Sequence, residues 1–273
     1  MNRELLEKSL NKAINGGTAG FMAMTGNVMT MMWLRTIVNY QYRNGGTFKN
    51  TVKILYSDGG IPRFYRGVGF ALLNAPLSRF GDTAMNTLVN TALQDSTLGV
   101  VEKTFIGSCG AGLWRIGIMP IDTFKSSLQV NGSSGMKILH DRINSNGPRT
   151  LWNGTGASAV STVMGHFPWF FTYNYLNTQF PRENYTGQIE QVSRSACIGF
   201  CSSSASDIVS NTFRVIKINR QVSSGNESYS KLIKDIVSRD SVLGLMTRGL
   251  KVKIITNGIQ GMVFTILFDL LRK

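Results

Sequence analysis

The sequence predicts an all-α membrane protein. Its six transmembrane helices form three tandem two-helix repeats, each with a short amphipathic helix on its inner connection, gathered into a threefold pseudosymmetric bundle. Three observations predict it. Charged residues make up 16% of the 273 residues while hydrophobic ones make up 42%, where an average soluble domain carries about 25% charged residues. Two stretches, Lys12 to Arg35 and Arg149 to Arg182, contain no lysine, arginine or acid between their ends. Each can cover the roughly 20 residues that a spanning helix needs. Two markers then recur three times at a period of one third of the chain, the signature of internal repeats.

The first marker is Gly17-Thr18-Ala19-Gly20, Gly107-Ser108-Cys109-Gly110 and Gly199-Phe200-Cys201-Ser202, spaced by 90 and 92 residues. The second is an aromatic-basic-Gly style turn at Tyr65-Arg66-Gly67, Trp152-Asn153-Gly154 and Thr247-Arg248-Gly249, spaced by 87 and 95. Each third reads alike: an apolar helix rich in small residues, a basic residue at its end, a polar connection, a short amphipathic helix, the turn, and a second apolar helix. The short helices follow from the helical spacing of Phe48, Val52, Ile54 and Leu55, of Met136, Ile138, Leu139 and Ile143, and of Leu232, Ile233, Ile236 and Val237. Repeats therefore occupy 1–96, 97–186 and 187–273 of one membrane domain. The even number of spans places both termini on one side.

Shorter neutral runs are interrupted by Arg115, Asp207 and Lys253, which suits helices lining a wet cavity better than helices facing lipid. A mean hydropathy of −0.01 agrees with a polar interior. The same neutral stretches would also serve as the core of a soluble helical protein.

Net charge is +14, from 29 Lys and Arg against 15 Asp and Glu, which suggests nucleic acid or an anionic membrane as partner. The bases gather on the connections inside the repeats, among them Arg43, Lys49, Arg63, Arg142, Arg149, Lys231 and Arg239. The positive-inside rule keeps those connections on one side, with the termini opposite. Read as an RNA-binding face, the set lacks any accompanying stacking motif. Three cysteines make no disulfide framework and two histidines make no metal centre. His140 and His166 have no spacing that suggests a catalytic triad, so no enzyme is expected. The first dozen residues lack the apolar core of a signal peptide.

Pro120-Ile121-Asp122-Thr123-Phe124-Lys125, followed by Gln129 and set within the threefold repeat, resembles the mitochondrial carrier family of solute carriers. The resemblance covers the whole chain. It implies transport of a small charged metabolite across the mitochondrial inner membrane by alternating access. The chain would be a multi-pass monomer with both termini facing the intermembrane space and its short helices on the matrix side. Partners would be the solute and membrane lipids, not nucleic acid, and cofactors none apart from cardiolipin as a structural lipid.

In the family, three acids pair with bases of adjacent repeats to close the cavity floor, the matrix gate. The matching positions here are Thr30, Met32 and Arg35 with Asn39 as brace, and Thr212, Arg214 and Lys217 with Gln221. One acid, Asp122, thus stands against Arg35, Lys125, Arg214 and Lys217, with braces at Gln129 and Gln221. The family geometry implies Asp122 facing Arg35, and Lys125 repelling Arg214. Symmetry further suggests a pair between Arg115 and Asp207.

A cytosolic gate is implied at Phe268, Asp269 and Arg272, with Tyr173 at the matching position of repeat 2. Solute contacts are implied at Ser161, Thr162 and Asn257 and in the Leu73 to Asn74 region. His166, one turn further along, is a solute contact or a packing group. Arg115 joins the solute-binding set, as does Arg79, which faces Asp82 or the cavity. Lipid sites resembling the family's cardiolipin sites are implied at Gly59, Tyr65, Arg66, Gly67, Gly147, Trp152, Gly154, Arg248 and Gly249, where helix amino ends near Gly59 and Gly147 suit a phosphate. Two broken floor motifs leave an alternative: a transport-degenerate membrane adaptor of the same fold.

Overall fold

A computed structural model of the chain describes residues 25–93, 97–223, 225 and 227–271, and the regular structure among them is helical throughout. The order is long helix, short helix, long helix, three times over. The first triplet is α1 (25–44), α2 (Phe48–Phe64) and α3 (Val68–Ala92). The second is α4 (Val100–Asn131), α5 (Gly135–Asn146) and α6 (Thr155–Gln179), and the third α7 (Gln188–Val222), α8 (Tyr229–Thr247) and α9 (Leu250–Leu271). Gly17 and Gly20 of the first marker lie outside the described residues.

Local chemistry sets the boundaries of the short helices. Thr47 and Ser228 accept hydrogen bonds from the Asn50 and Lys231 amides, capping α2 and α8. Gly147, at φ 77°, ends α5 while its amide donates to the Ile143 carbonyl. Gly60, at φ 62°, breaks α2 just before Pro62. Gly59 and Gly147 therefore stand at the carboxyl ends of the amphipathic segments, not at their amino ends as expected. A left-handed glycine terminates a helix, and the next segment has only a turn or so in which to begin.

The recurrent turn glycines have a packing reason. Gly67, Gly154 and Gly249 all have positive φ. A Cβ at Gly67 would lie 3.1 Å from the Lys125 carbonyl on α4, and one at Gly154 would lie 2.9 Å from the Lys217 carbonyl on α7. At Gly249 it would lie 3.0 Å from the Tyr42 ring on α1. Each triplet thus presses its turn against the first helix of the next triplet, the third returning to the first.

Buried arginines reinforce the same junctions. Arg63 on α2, 1% exposed, pairs with Asp58 and donates to the Gln129 and Val130 carbonyls of α4 at 3.0 and 2.9 Å. Arg142 on α5 donates to the Gln221 carbonyl of α7 and to Thr150 Oγ1. Burial, and then the adjacent Arg220, lowers its pKa. Arg248 pairs with Asp240 and donates to the Arg43 carbonyl of α1 at 3.1 Å. Each cation satisfies carbonyls that a helix end leaves without an intrahelical partner.

An apolar core lies at this end of the molecule, where Leu34, Ile37 and Tyr42 of α1 meet Leu55, Val215, Ile236 and Leu245. Elsewhere the polarity is inverted. The buried set includes many serines, threonines and amides, while Phe80, Leu113, Phe171 and Ile189 are more than 60% exposed. The described long helices of 20 to 35 residues reach roughly 30 to 52 Å. Among the described residues no helix is long and apolar enough to cross a membrane, a difference from the neutral spans that the sequence predicts. The physical reason is compositional: each long helix carries a polar stripe that lowers its mean hydropathy, as Arg115, Asp122 and Lys125 do on α4.

Candidate functional site

All six long helices, and none of the short ones, line a single polar cavity of about 440 Å³. From α1 come Arg35, Asn39 and Tyr42, from α3 Asn74, Ser78, Arg79 and Asp82, and from α4 Arg115, Lys125 and Gln129. From α6 come Ser158, Ser161, Thr162 and His166, from α7 Ser206, Arg214 and Lys217, and from α9 Lys253, Thr256, Asn257 and Gln260. Helical periodicity explains the grouping: Asn74, Ser78 and Asp82 stand at i, i+4 and i+8, and Lys253 and Asn257 at i and i+4, so each set shares one helix face.

Asp122 sits beneath the cavity, its carboxylate 8% exposed. It pairs with Lys125 on its own helix and with Lys217 of α7 at 2.5 Å. Gln221 Nε2 donates to it at 3.0 Å and Asn74 Nδ2 at 3.1 Å. Four donors from three helices fill the lone-pair sites of one carboxylate. The expected partner of Asp122, Arg35, is therefore excluded; its guanidinium turns back to Asn27 Oδ1 at 3.1 Å, two turns earlier on α1. The expected repulsion of Lys125 and Arg214 is also corrected, because each has its own acid.

The floor junctions differ chemically. Between α4 and α7 the link is the Asp122–Lys217 ion pair. Between α1 and α4 it is an amide pair, Asn39 Nδ2 donating to Gln129 Oε1 at 2.5 Å. Between α7 and α1, Arg43 donates to Asn219 Oδ1 at 3.0 Å while Asn219 donates to the Tyr42 carbonyl at 2.8 Å. The brace positions Asn39, Gln129 and Gln221 thus all make inter-helix contacts in this floor.

Above the floor, the suggested Arg115–Asp207 pair does not form. Arg115 binds Asp82 of the adjoining α3 at 2.9 Å and Ser78 Oγ at 3.2 Å. Asp207, buried on α7, pairs with Arg214 two turns along its own helix and accepts from Asn257. Proximity decides both: Arg214 shares the Asp207 face, and α3 packs along α4 with the Trp114 Nε1 on the Leu77 carbonyl at 2.9 Å. Arg79 consequently does not face Asp82 as a pair; its side chain lies exposed at the cavity wall.

Among the other predicted positions, Ser161, Thr162, Asn257 and His166 line the cavity. His166 Nδ1 shares a 2.8 Å hydrogen bond with Ser108 Oγ and meets the Phe170 ring edge-on. Asn74 lines the cavity, whereas Leu73 is 57% exposed on the outer surface. Tyr173 stacks on Trp169 with centroids 4.9 Å apart. The side chains of Phe268 and Asp269, and Arg272 altogether, lie outside the described residues. Of the lipid positions, Arg248 is buried and spent on Asp240, which corrects its expected availability. Trp152 donates to the Ile116 carbonyl at 2.9 Å and remains part-exposed.

Sequence reasoning missed Ser78 and Gln260 and treated Lys253 only as an interruption of a neutral run. The i, i+4 relation of Lys253 to Asn257 could have found it. Among the described residues no group of three His, Cys, Asp or Glu could hold a metal ion.

Residues 96–184 match a family model described as mitochondrial carrier protein. That stretch holds Pro120 to Lys125, the motif that survives intact. A curated relative, "Mitochondrial substrate carrier family protein X" of Dictyostelium discoideum, is 27% identical over 187 residues. The alignment spans 67% of this chain and 62% of that protein, so less than two thirds of the relative's length is matched.

Proposed function

We propose that the chain is a member of the mitochondrial carrier family, which residues 96–184 resemble, and that it moves a small charged metabolite across the mitochondrial inner membrane by alternating access, without enzymatic chemistry. The observation that carries this reading is the cavity to which all six long helices contribute polar side chains. A solute held there touches every helix at once, so its binding can couple to a rearrangement of the whole bundle.

In this reading the chain is a monomer of three repeats, 1–96, 97–186 and 187–273, with a threefold pseudosymmetric arrangement and both termini in the intermembrane space. The inverted polarity supports placement in lipid: exposed rings such as Phe167 and Phe171 face outward while polar groups are buried. Asp122, Lys125, Lys217 and the amide braces act as the matrix gate, and Tyr173, Phe268, Asp269 and Arg272 as the cytosolic one. Half-buried Arg66 and part-exposed Trp152 stand as the remaining cardiolipin positions, Trp152 by its ring because its N–H is spent on the Ile116 carbonyl.

Reconstitution into cardiolipin-containing liposomes tests the proposal, guided by a thermal-shift screen of metabolites, since a ligand of the folded form raises its apparent stability. Flux of a stabilising metabolite is expected. Absence of flux for every stabilising solute would overturn it. The single ionic junction in the floor favours one competing reading, a membrane adaptor that has lost transport. An adaptor tolerates loss of Ser161, Thr162, Asn257 and Arg115; a carrier loses flux.

A further inference from the structure

We propose that a second pocket, set between α4 and α6 on the outer face of the bundle, binds a single-chain amphiphile whose head is an ammonium group, with Glu102 as its counter-charge. The inference rests on the placement of the chain in lipid and not on what crosses the central cavity.

The pocket has a volume of about 580 Å³, within the range of small-molecule sites. Five aromatic rings line it. Three of them, Phe167, Phe171 and Tyr175, stand at i, i+4 and i+8 of α6 and stack as a ladder with centroids 6.2 and 6.3 Å apart. Each of the three is more than half exposed, so the described residues leave the ladder open. The inner wall is the 2.8 Å hydrogen bond between Ser108 Oγ and His166 Nδ1. Ser108 lines this pocket and His166 the central cavity, so the two spaces stand back to back.

Charge decides the occupant. Glu102 is the one charged residue in the lining, and among the described residues it makes no ion pair or hydrogen bond. It lies in the first turn of α4 with its carboxylate beside Gly99, and Asn174 and Thr178 share that rim from the last turns of α6. Phe105, Ile106 and Phe167 lie further in. A polar rim at the helix ends and an apolar interior match an amphiphile entering from the bilayer.

An unpartnered carboxylate in a lipid-facing recess is costly, and an ammonium head supplies its partner through a charge-assisted hydrogen bond and rests on aromatic faces. An anionic head is repelled, and a neutral one leaves the acid unpaired. A phospholipid fits poorly, because no lysine or arginine of the lining can take its phosphate. The central cavity, lined by seven Lys and Arg against one Asp, repels the same ligand.

The test uses the full chain in a non-ionic detergent at pH 7, its unfolding midpoint followed with hexadecylamine, hexadecanol, palmitate and phosphatidylethanolamine. Binding at the site is the stabilisation lost in Ile106→Trp, which fills the pocket from a position 41% exposed. Hexadecylamine should raise the midpoint saturably, and added KCl should weaken the effect. Glu102→Gln should weaken its binding about tenfold or more. Ligand-free midpoints report folding, and Glu102→Gln alone decides the matter if Ile106→Trp lowers its own.

Full hexadecylamine affinity in Glu102→Gln would overturn the proposal, as would equal binding at the site by hexadecanol, palmitate or the phospholipid. Liposome flux keeps the two readings apart. Solute flux without hexadecylamine binding leaves a carrier and removes this inference. Hexadecylamine binding that Glu102→Gln abolishes, without flux of any solute, supports the inference and counts against transport.

Discussion

Asp122 is the residue on which the floor depends, because it brings two lysines and two amides to one buried point. Asp122→Asn leaves two ammonium groups without a counter-charge, and removing one partner of a buried pair typically costs about 3–5 kcal/mol. Denaturant unfolding in detergent should therefore show a loss of that order. A loss below about 1 kcal/mol would mean the lysines are solvated. The turn glycines make a second residue-scale contrast. Gly154 and Gly147 both have positive φ, but a Cβ at Gly154 meets the Lys217 carbonyl at 2.9 Å and one at Gly147 meets open space. Both alanine variants bear a backbone cost of roughly 1–2 kcal/mol. Gly154→Ala should be the less stable of the two by a clear margin in the same assay.

At the scale of the element, α2 is fastened to α4 through one arginine. Arg63 reaches Asp58 and two carbonyls together, a spread that only a planar fork with several donors can make. Arg63→Lys keeps the charge but loses at least one carbonyl contact, worth roughly 1.5–3 kcal/mol for a charged donor. Hydrogen exchange should quicken at the carboxyl end of α4, near Gln129 and Val130, and remain unchanged at the corresponding end of α7. The Asp82–Arg115 pair makes a comparable link between α3 and α4. Asp82→Arg or Arg115→Asp alone should reduce flux, while the double exchange restores it; failure of the exchange would show that position, and not pairing, matters there.

The molecule as a whole is tied together through its short helices and turns, each triplet leaning on the first helix of the next. An apolar core gathers at that end, while a polar cavity occupies the space between the long helices. Such a body has apolar side chains outside and charges inside, so carbonate extraction of membranes should leave the chain in the pellet. Release into the soluble fraction would remove the membrane reading and the proposed transport with it.

Much of the architecture was legible in local chemistry. Thr47, Ser228 and the turn glycines mark boundaries through short-range caps and backbone sterics, and the triple recurrence of one pattern announces three similar units. Ser161, Thr162 and Asn257 are placed by the family resemblance, and they line the cavity, whereas the polar stripe Asn74, Ser78 and Asp82 of α3 shares one helix face by its spacing of four. Partnership is not legible in either way. The sequence by itself determined which side chains share a helix face, because that depends on a fixed turn of 3.6 residues. Only the tertiary structure decided that Asp122 takes Lys217 in place of Arg35, and that Asp207 takes Arg214 in place of Arg115. Those choices depend on how neighbouring helices pack and on which charge fills a buried carboxylate first.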